Sequence, residues 1–426
     1  MTELYKRFLE CKVITTDSRD CPAGSIFFAL KGESFDGNKY AASALEKGCK
    51  YAVVDEQEYA LDNEKYMLVD DVLKAFQELA REHRRALGTP IIGITGTNGK
   101  TTTKELVAAV LSQKYNVHYT QGNFNNHIGV PKTLLQLKPE HEIAVIEMGA
   151  NHPGEIKTLV DIVEPDCGLI TNVGKAHLEG FGSFEGVIKT KGELYDKLRA
   201  TDKFAFIDEE NPHLMGIAAG LQTKPYVKGE VTACDPFLRF QWQGGEVQTH
   251  LIGAYNMKNM LAAATVGLHF GVTEQQINVA LSSYVPSNNR SQLTVTAKNK
   301  LVVDTYNANP TSMRAALENF AMMSVAPKMV ILGDMRELGA VSLAEHQKVV
   351  EFLTQTTKQP NNQTTIDTVW LVGQEFGKTI APASFRRFPD VAAVKEALAK
   401  EGTPEGQYIL IKGSNGIRLF ELPELL

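Results

Sequence analysis

Residues 91–103 combine a buried strand, a glycine-rich turn and the start of a helix, which is the arrangement of a loop that binds nucleotide phosphate. Glycine lets the backbone approach phosphate closely, Lys100 supplies a positive charge, and the Thr101 hydroxyl can hold Mg²⁺. The spacing departs from a general P-loop, because Ile94 stands where a small residue is expected and Gly93 lies one position further out. The pattern predicts an ATP-using protein with these nucleotide-binding residues: Gly96, Thr97, Asn98, Gly99, Lys100, Thr101 and Thr102.

Polar residues directly after apolar strands are the next candidates, because ligands of α/β sheets sit at the carboxyl ends of the strands. Glu147 is predicted to ligate Mg²⁺, the alternative being a solvated glutamate at a strand end. His177 lies in a glycine-rich loop, where a functional histidine is favoured over a structural one. Asn123, Asn125 and Asn126 are equally consistent with phosphate or carboxylate binding and with ordinary helix capping. Two later strands are followed by the polar residues Asp304, Asn307, Asn309, Lys412 and Ser414.

The elements that must position these residues form an α/β pattern of three domains. Residues 1–88 contain short strands and end in a charged helix before a Thr-Pro dipeptide that breaks it. Residues 89–285 alternate strands and helices, as right-handed βαβ units on a parallel sheet do. Residues 286–426 restart the alternation with four strands, which predicts a small Rossmann-like unit. The polar segment 358–365 is expected to form an exposed loop.

Length and composition limit the class of protein. The 426 residues suffice for two to three domains of roughly 100 to 200 residues each, and the formal net charge of −6 without a basic run argues against a nucleic-acid partner. The five cysteines form no CxxC pair, which suits reduced thiols. The N-terminus lacks the apolar region of a secretory signal, and no apolar run reaches the ~20 residues of a membrane span. A cytoplasmic enzyme is therefore expected.

Several blocks of this sequence occur together, in the same order, in one known family. They are Gly93-x-Thr-Gly-Thr-Asn-Gly-Lys-Thr101, Gly122-Asn-Phe-Asn-Asn126 with Ile128-Gly-Val-Pro131, Glu147-Met-Gly-Ala-Asn-His-Pro-Gly-Glu-Ile156, Asp304-x-Tyr-Asn-Ala-Asn-Pro310 and Leu332-Gly-Asp-Met-x-Glu-Leu-Gly339. Over its whole length the chain resembles the Mur ligase family, the ATP-dependent amide-forming enzymes of peptidoglycan precursor synthesis. The resemblance implies a central P-loop ATPase domain with a parallel sheet, flanked by a small N-terminal α/β UDP-binding domain and a C-terminal Rossmann-like domain.

Within that family the blocks are most similar to the member that joins D-Ala-D-Ala to UDP-MurNAc-tripeptide. The resemblance implies ATP and Mg²⁺ as cofactors, an acyl-phosphate intermediate, two small-molecule substrates and a monomer. The third residue of the tripeptide, L-lysine or meso-diaminopimelate, stays open. Two alternatives are a folylpolyglutamate synthetase, which would begin close to its phosphate loop, and a nucleotide-binding homologue without catalysis.

The resemblance also assigns roles around the metal ions. Lys100, His177 and Lys191 are implied as catalytic, with Thr101 and Glu147 at a first Mg²⁺ and with His177 and Lys191 at a second. Lys191 matches the lysine that the family carbamylates with CO₂, which would turn a cation into a metal-binding carboxylate. The sequence alone favours an exposed helix lysine at this position. The neighbouring Lys189 competes for the role, and only the spacing to Leu194-Tyr195 selects Lys191.

The remaining site residues come from the same resemblance. Asn256 and Asn307 are similar to residues on the adenine side, Arg290 to the arginine that reaches ATP phosphate, and Asp304 to the acid that binds ribose. The implied substrate-binding residues are Ser18, Arg19, Lys31 and Gly32 for the UDP-sugar, together with Asn123, Asn125, Asn126, Asn309, Lys412 and Ser414. The last strand departs from the family pattern, because Asn415-Gly416 stands where an Arg-Ser pair is frequent.

Overall fold

A computed structural model describes residues 1–61, 64–243, 245–286, 290–357 and 365–426. The predicted exposed loop at 358–365 therefore lies, except for Thr365, outside the described residues. No helix in the described ranges is long and apolar enough to cross a membrane.

The N-terminal domain is a parallel sheet with helices packed on it. Its described elements are α1 (Glu3–Cys11), β1 (Ile14–Thr15), β2 (Ile26–Phe28), α2 (Ala41–Glu46), β3 (Tyr51–Val54), β4 (Tyr66–Leu68) and α3 (Val72–Leu87). The strands lie in the order β1-β2-β3-β4 and all pair in parallel. Helix α3 begins where the Asp71 side chain accepts the Lys74 N–H and ends at Gly88, whose left-handed conformation suits glycine.

The central domain is built on a second parallel sheet. Its elements in the described residues are β5 (Ile91–Thr95), α4 (Lys100–Leu111), β6 (Val117–Tyr119), α5 (Gly129–Leu134), β7 (Ile143–Glu147), α6 (Glu155–Val163), β8 (Cys167–Ile170), α7 (Leu178–Phe181), α8 (Phe184–Ala200), β9 (Phe204–Ile207), α9 (Pro212–Ile217) and β10 (Gln222–Pro225). The strand order is β10-β9-β8-β5-β7-β6, so β5 lies between β7 and β8. The phosphate loop, Glu147 and the loop after β8 therefore leave the sheet side by side.

A small antiparallel sheet covers one side of the central domain and was not predicted. It consists of β11 (Gly229–Cys234), β12 (Phe237–Trp242) and β13 (Gly245–Ile252), and it is followed by α10 (Met257–His269) and α11 (Glu274–Ser283). In β12 the side chains of Leu238, Phe240 and Trp242 are buried and the residues between them are exposed. This alternation with a period of two is a strand signal that the sequence carries.

The C-terminal domain is a third sheet, mainly parallel. Its described elements are β14 (Gln292–Val295), β15 (Lys300–Asp304), α12 (Pro310–Met322), β16 (Lys328–Gly333), α13 (Ser342–Thr357), β17 (Thr368–Val372), α14 (Gln374–Gly377), β18 (Arg386–Phe388), α15 (Val391–Glu401) and β19 (Tyr408–Lys412). The order is β14-β15-β19-β16-β17-β18, with only β14 antiparallel among the described strands. The four predicted strands are present, and the prediction missed the two edge strands β14 and β18. The domain boundaries at residues 88 and 285 stay predictions.

Candidate active site

The phosphate loop is held in shape by glycines that no other residue could replace without strain. Gly96 and Gly99 have φ angles of +143° and +77°. A Cβ atom on Gly96 would lie 2.0 Å from Thr171 Oγ1, and one on Gly99 would lie 2.7 Å from Asn259 Oδ1. The loop therefore packs directly against the turn after β8 and against α10.

Lys100 is the first residue of α4, and its ammonium group lies against the loop. The Nζ atom donates to the carbonyl oxygens of Gly96 at 2.9 Å and Thr97 at 3.0 Å. Burial lowers the pKa of Lys100 to about 8, an effect that the Glu147 carboxylate opposes. Lys100 also lines the large cavity described below, so it borders the space where phosphate is expected.

Glu147, at the end of β7, is almost fully buried, with 1% of its surface exposed. Its Oε1 atom accepts from Asn125 Nδ2 at 2.8 Å and from Thr101 Oγ1 at 3.2 Å. The Oε2 atom is buried and has no hydrogen-bond partner among the described residues. A buried carboxylate oxygen without a partner costs free energy unless a ligand meets it. Together with the Thr101 hydroxyl it fits a hard cation such as Mg²⁺, which prefers oxygen ligands.

His177 and Lys191 lie close enough to Lys100 for its charge to act on both of them. His177 Nδ1 forms a short contact with a carboxylate oxygen of Glu337 from the C-terminal domain. Burial lowers the pKa of His177, against the opposing effect of Glu337. Lys191, on α8, is 2% exposed; its Nζ donates to the Ala150 carbonyl at 3.0 Å and lies 5.3 Å from the centre of the Phe181 ring. The exposed helix lysine favoured by sequence alone is therefore wrong.

The Lys191 environment disfavours a positive charge. Burial lowers the pKa of Lys191 well below its usual value, and the nearby Lys100 lowers it further. No group of three or more His, Cys, Asp or Glu side chains suited to a metal ion occurs within the described ranges. Glu337 is the acidic side chain that contacts His177, so a second metal ion at His177 would need further ligands besides these two.

Many of the predicted residues line one cavity of about 950 Å³ between the domains. Helix α3 of the N-terminal domain contributes Leu73 and Gln77 to its wall. The predicted site residues that line it are Thr97, Asn98, Gly99, Lys100, Thr102, Asn125, Asn126, Glu147, His177, Asn256, Arg290, Asp304, Asn307 and Lys412. Gly96, Thr101 and Lys191 are not in this wall but contact or adjoin residues that are, and Asn123 is exposed in the turn before Asn125.

The C-terminal domain reaches the phosphate loop through a pair of amides. Asn309 Nδ2 donates to Asn98 Oδ1 at 2.7 Å, and Asn98 Nδ2 donates back to Asn309 Oδ1 at 3.4 Å. Asn309 also caps α12, where its side chain accepts the Ser312 N–H. One asparagine thus caps a helix and contacts the phosphate loop.

Charged residues of the C-terminal domain are paired with each other at the same cavity. Lys412 Nζ contacts Asp304 Oδ2 at 2.6 Å and the Asn307 carbonyl at 3.2 Å. The Arg290 guanidinium lies over the Tyr306 ring, with its carbon 3.9 Å from the ring centre. The sequence assigned Lys412 to substrate and Asp304 to ribose; the structure brings the two into contact at the ends of β19 and β15.

The residues predicted to bind the UDP-sugar lie away from the large cavity. Arg19 pairs with Asp17, the Ser18 carbonyl accepts from Lys47 Nζ at 2.7 Å, and Lys31 Nζ contacts Asp55 at 2.9 Å and Glu56 at 2.8 Å. The Gly32 amide donates to the Phe35 carbonyl in the adjoining turn. These contacts leave the four residues on the surface of the N-terminal domain.

Three residues that contact the site were assigned no role from the sequence. Asn172 Oδ1 accepts the Asn98 N–H at 3.0 Å, Asn259 Oδ1 accepts from Thr103 Oγ1 at 3.1 Å, and Glu337 contacts His177. Asn172 follows β8, so the strand-end rule could have found it. Glu337 lies within the block Leu332–Gly339, but only the packing of α10 and of the C-terminal domain reveals the partners of Asn259 and Glu337.

A phosphate loop, a buried acid on the neighbouring strand and further α/β domains that meet at one cavity define a nucleotide-binding P-loop protein. The chain belongs to the Mur ligase family. Residues 94–267 match the Mur ligase middle domain, residues 289–415 match the Mur ligase, glutamate ligase domain, and residues 10–84 match the domain described as Mur ligase family, catalytic domain.

Named relatives agree over most of the chain. The UDP-N-acetylmuramoyl-tripeptide--D-alanyl-D-alanine ligase of Bacillus subtilis is 35% identical, over 96% of this chain and 92% of the relative. The crystal structure of MurF from Acinetobacter baumannii is 32% identical, with a TM-score of 0.85 over 97% of this chain and 92% of that one. The MurF ligase of Thermotoga maritima in complex with ADP is 25% identical, with a TM-score of 0.86 over 100% and 98%. The family and the three-domain α/β fold predicted from sequence are confirmed.

Proposed function

We propose that this chain joins D-Ala-D-Ala to UDP-MurNAc-tripeptide at the expense of ATP, giving UDP-MurNAc-pentapeptide, ADP and phosphate in peptidoglycan precursor synthesis. The observation that carries the proposal is the meeting, at one cavity, of the phosphate loop with residues of both flanking domains. Three reactants must come together in this reaction, and a cavity between three domains suits that need. Relatives named for this activity match nearly the whole chain.

The reaction proceeds in two steps that balance in atoms and charge. A carboxylate oxygen of the tripeptide attacks the γ-phosphorus of ATP, and ADP leaves with the electron pair of the broken P–O bond. The amine nitrogen of D-Ala-D-Ala then attacks the acyl carbon, loses its proton and expels phosphate. In the first step an anion approaches an anion, and two unit charges 4 Å apart repel by about 4 kcal/mol at an effective dielectric constant of about 20. Lys100 and Arg290 face the cavity and reduce this repulsion.

Mg²⁺ would supply further positive charge at the phosphates. Thr101 and Glu147 are the residues proposed to hold a first ion, because the buried Oε2 of Glu147 has no other described partner. His177 and a modified Lys191 are the proposed ligands of a second ion. The Thr101 hydroxyl and the Glu147 carboxylate are held in place by hydrogen bonds. These two side chains would therefore offer their oxygen atoms to a metal ion at fixed positions.

A carbamate on Lys191 would provide a further acidic ligand. The neutral amine of Lys191 attacks CO₂, a new N–C bond forms, and one proton is released, so a neutral group becomes an anion. Only the unprotonated amine reacts, and burial of Lys191 favours that form. The exposed Lys189 lacks this environment, so Lys191 is the preferred position.

The proposal also assigns nucleotide and substrate contacts to the remaining site residues. Asn256, Asn307 and Asp304 are proposed to face the adenosine part of ATP, because all three line the cavity beside Arg290. Asn125, Asn126, Asn309, Lys412 and Ser414 are proposed on the peptide side, and Ser18, Arg19, Lys31 and Gly32 at the UDP-sugar. A monomer in the cytoplasm remains our prediction for the protein as a whole.

Each of the two alternative functions leaves features of the structure without a role. A folylpolyglutamate synthetase would have no need of the N-terminal sheet formed by β1 to β4, which helix α3 joins to the cavity wall. A homologue without catalysis would have no need of a buried Lys191 beside the loop or of a buried unpaired carboxylate oxygen on Glu147.

The test is release of phosphate from ATP by the purified chain. We expect release only when UDP-MurNAc-tripeptide and D-Ala-D-Ala are both present, with the L-lysine and meso-diaminopimelate forms of the tripeptide compared side by side. Equal release with folate and glutamate, or none with the dipeptide, would reject the proposal.

A further inference from the structure

A second cavity, of about 320 Å³, lies between the central and C-terminal domains. It shares His177, Tyr306 and Asn307 with the large cavity, so the two spaces adjoin at the residues beside the proposed second metal ion. Its outer wall is formed by Arg336 and by the turn at Asn415 after β19. The volume falls at the lower end of the about 300–1,000 Å³ that small-molecule sites occupy.

Arg336 brings an unpaired positive charge to this second cavity. It is the only lysine or arginine among the residues that line it. Its Nη2 atom donates to the Gly416 carbonyl at 3.0 Å, and its backbone N–H donates to Ser414 Oγ at 2.9 Å. The guanidinium forms no ion pair within the described part of the chain, whereas Glu337, the acid beside it, contacts His177. Most of the five N–H donors of the guanidinium are therefore available to a ligand.

Because Gly416 has no side chain, the Arg336 guanidinium can lie directly beside it. A Cβ atom on Gly416 would lie 2.2 Å from Nη1 and 2.5 Å from Cζ of Arg336. A side chain at position 416 would displace the guanidinium, so the turn after β19 leaves room for an arginine from the turn after β16.

We propose that Arg336 binds the terminal carboxylate of D-Ala-D-Ala in this second cavity and so selects an acceptor with a free carboxyl end. The inference rests on the proposed function and adds a specificity-determining residue to it. A guanidinium can donate two parallel hydrogen bonds to one carboxylate, and such charge-assisted pairs are stronger than neutral ones. Ser414 acts as a positioning residue, because it holds the backbone of Arg336.

The experiment compares D-Ala-D-Ala with D-alanyl-D-alaninamide, which has the same shape but no terminal charge. In Arg336→Ala we expect the KM for D-Ala-D-Ala to rise about 10- to 100-fold, as loss of a hydrogen bond to a charged group predicts. The KM values for ATP and UDP-MurNAc-tripeptide should stay unchanged, and the preference for the free dipeptide over its amide should disappear. A purely structural role would not remove this preference.

Further variants separate the effect of the positive charge of Arg336 from the effect of its donor geometry. Arg336→Lys keeps the charge without the fork of donors and should restore only part of the preference. Gly416→Ala should raise the KM for D-Ala-D-Ala by displacing the flexible guanidinium. Arg387→Ala, at an exposed position in β18, is the matched control and should behave as the unmodified enzyme.

The outcomes distinguish the inference from the proposed function. Dipeptide-dependent phosphate release by the unmodified enzyme, with an unchanged KM and an unchanged preference in Arg336→Ala, would overturn the inference alone. Parallel rises in the KM values of ATP and both other substrates would overturn it as well. Absence of dipeptide-dependent release in the unmodified enzyme would overturn the proposed function and the Arg336 assignment together.

Discussion

Replacement of Lys191 by alanine tests the carbamate directly. The side chain is 2% exposed and its Nζ atom has the Ala150 carbonyl as its hydrogen-bond acceptor. The truncation removes Cγ, Cδ, Cε and Nζ and leaves a void large enough for formate or acetate. If a modified Lys191 holds a metal ion, its loss should lower kcat by about 10²- to 10³-fold, the effect of removing one group that stabilises developing charge.

Stability should change much less than activity in this variant. Cavities left by large-to-alanine substitutions cost about 2–5 kcal/mol in the free energy of unfolding. Removal of an amine whose charged form is disfavoured by burial offsets part of that cost, since each unit of lowered pKa corresponds to about 1.4 kcal/mol when the amine is protonated. We expect the melting temperature to fall by only a few degrees, so that lost activity cannot be attributed to unfolding.

Two measurements check the prediction. The unmodified enzyme, incubated with ¹³C-bicarbonate, should show a carbamate carbonyl signal by NMR, and Lys191→Ala should not. Lys189→Ala is the matched control, because Lys189 is exposed two positions earlier on the same helix; it should keep both the signal and the turnover. Formate or acetate should partly restore activity to Lys191→Ala, whereas high bicarbonate should not. Wild-type turnover in Lys191→Ala, or loss of the signal only in Lys189→Ala, would refute the reasoning.

Two further predictions concern the phosphate loop and the buried acid. The folded-state pKa of Lys100, about 8, lies below its ordinary value of 10.5. Between these two pH values the unfolded chain binds more protons than the folded one, so the free energy of unfolding rises with pH across that window, by at most about 3 kcal/mol. Lys100→Met should lose this rise and most of its activity, yet be no less stable at pH 7; denaturant titrations at pH 7 and pH 10 measure this, and an unchanged rise would contradict it. In Glu147→Gln, Mg²⁺ should no longer add to the thermal stabilisation by ADP, which for a ligand at 100 times its Kd is about 2.7 kcal/mol. Thermal shifts with ADP in Mg²⁺ or in EDTA decide this, and a full Mg²⁺ increment in the variant would speak against the metal role.

Local sequence patterns were sufficient for much of the fold. The phosphate loop begins helix α4 at Lys100, α3 spans Val72–Leu87 as its charged pattern indicates, and the apolar runs before Glu147 and Asp304 form parallel strands. These features depend on neighbours in the chain, namely capping residues, glycines and apolar periodicity. The sheet of β11 to β13 was not predicted, although the alternation of buried and exposed residues in β12 is a local pattern that indicates a strand.

Other features of the site depend on residues far apart in the chain. The burial of Lys191 results from the packing of α8 against the loop after β7, and no pattern around Lys191 indicates it. The contact of His177 with Glu337 and the paired amides of Asn98 and Asn309 require the C-terminal domain to dock on the central one.

The sequence by itself determined the phosphate loop, the strand-end acid and the family, because each is a short run of residue types at fixed spacing. The tertiary structure decided which groups lose water and which meet across domains. Desolvation and long-range contacts set the protonation of Lys100 and Lys191 and place Arg336 in the space left by Gly416. Charge state and partner choice are properties of the folded environment, and a linear pattern does not encode them position by position.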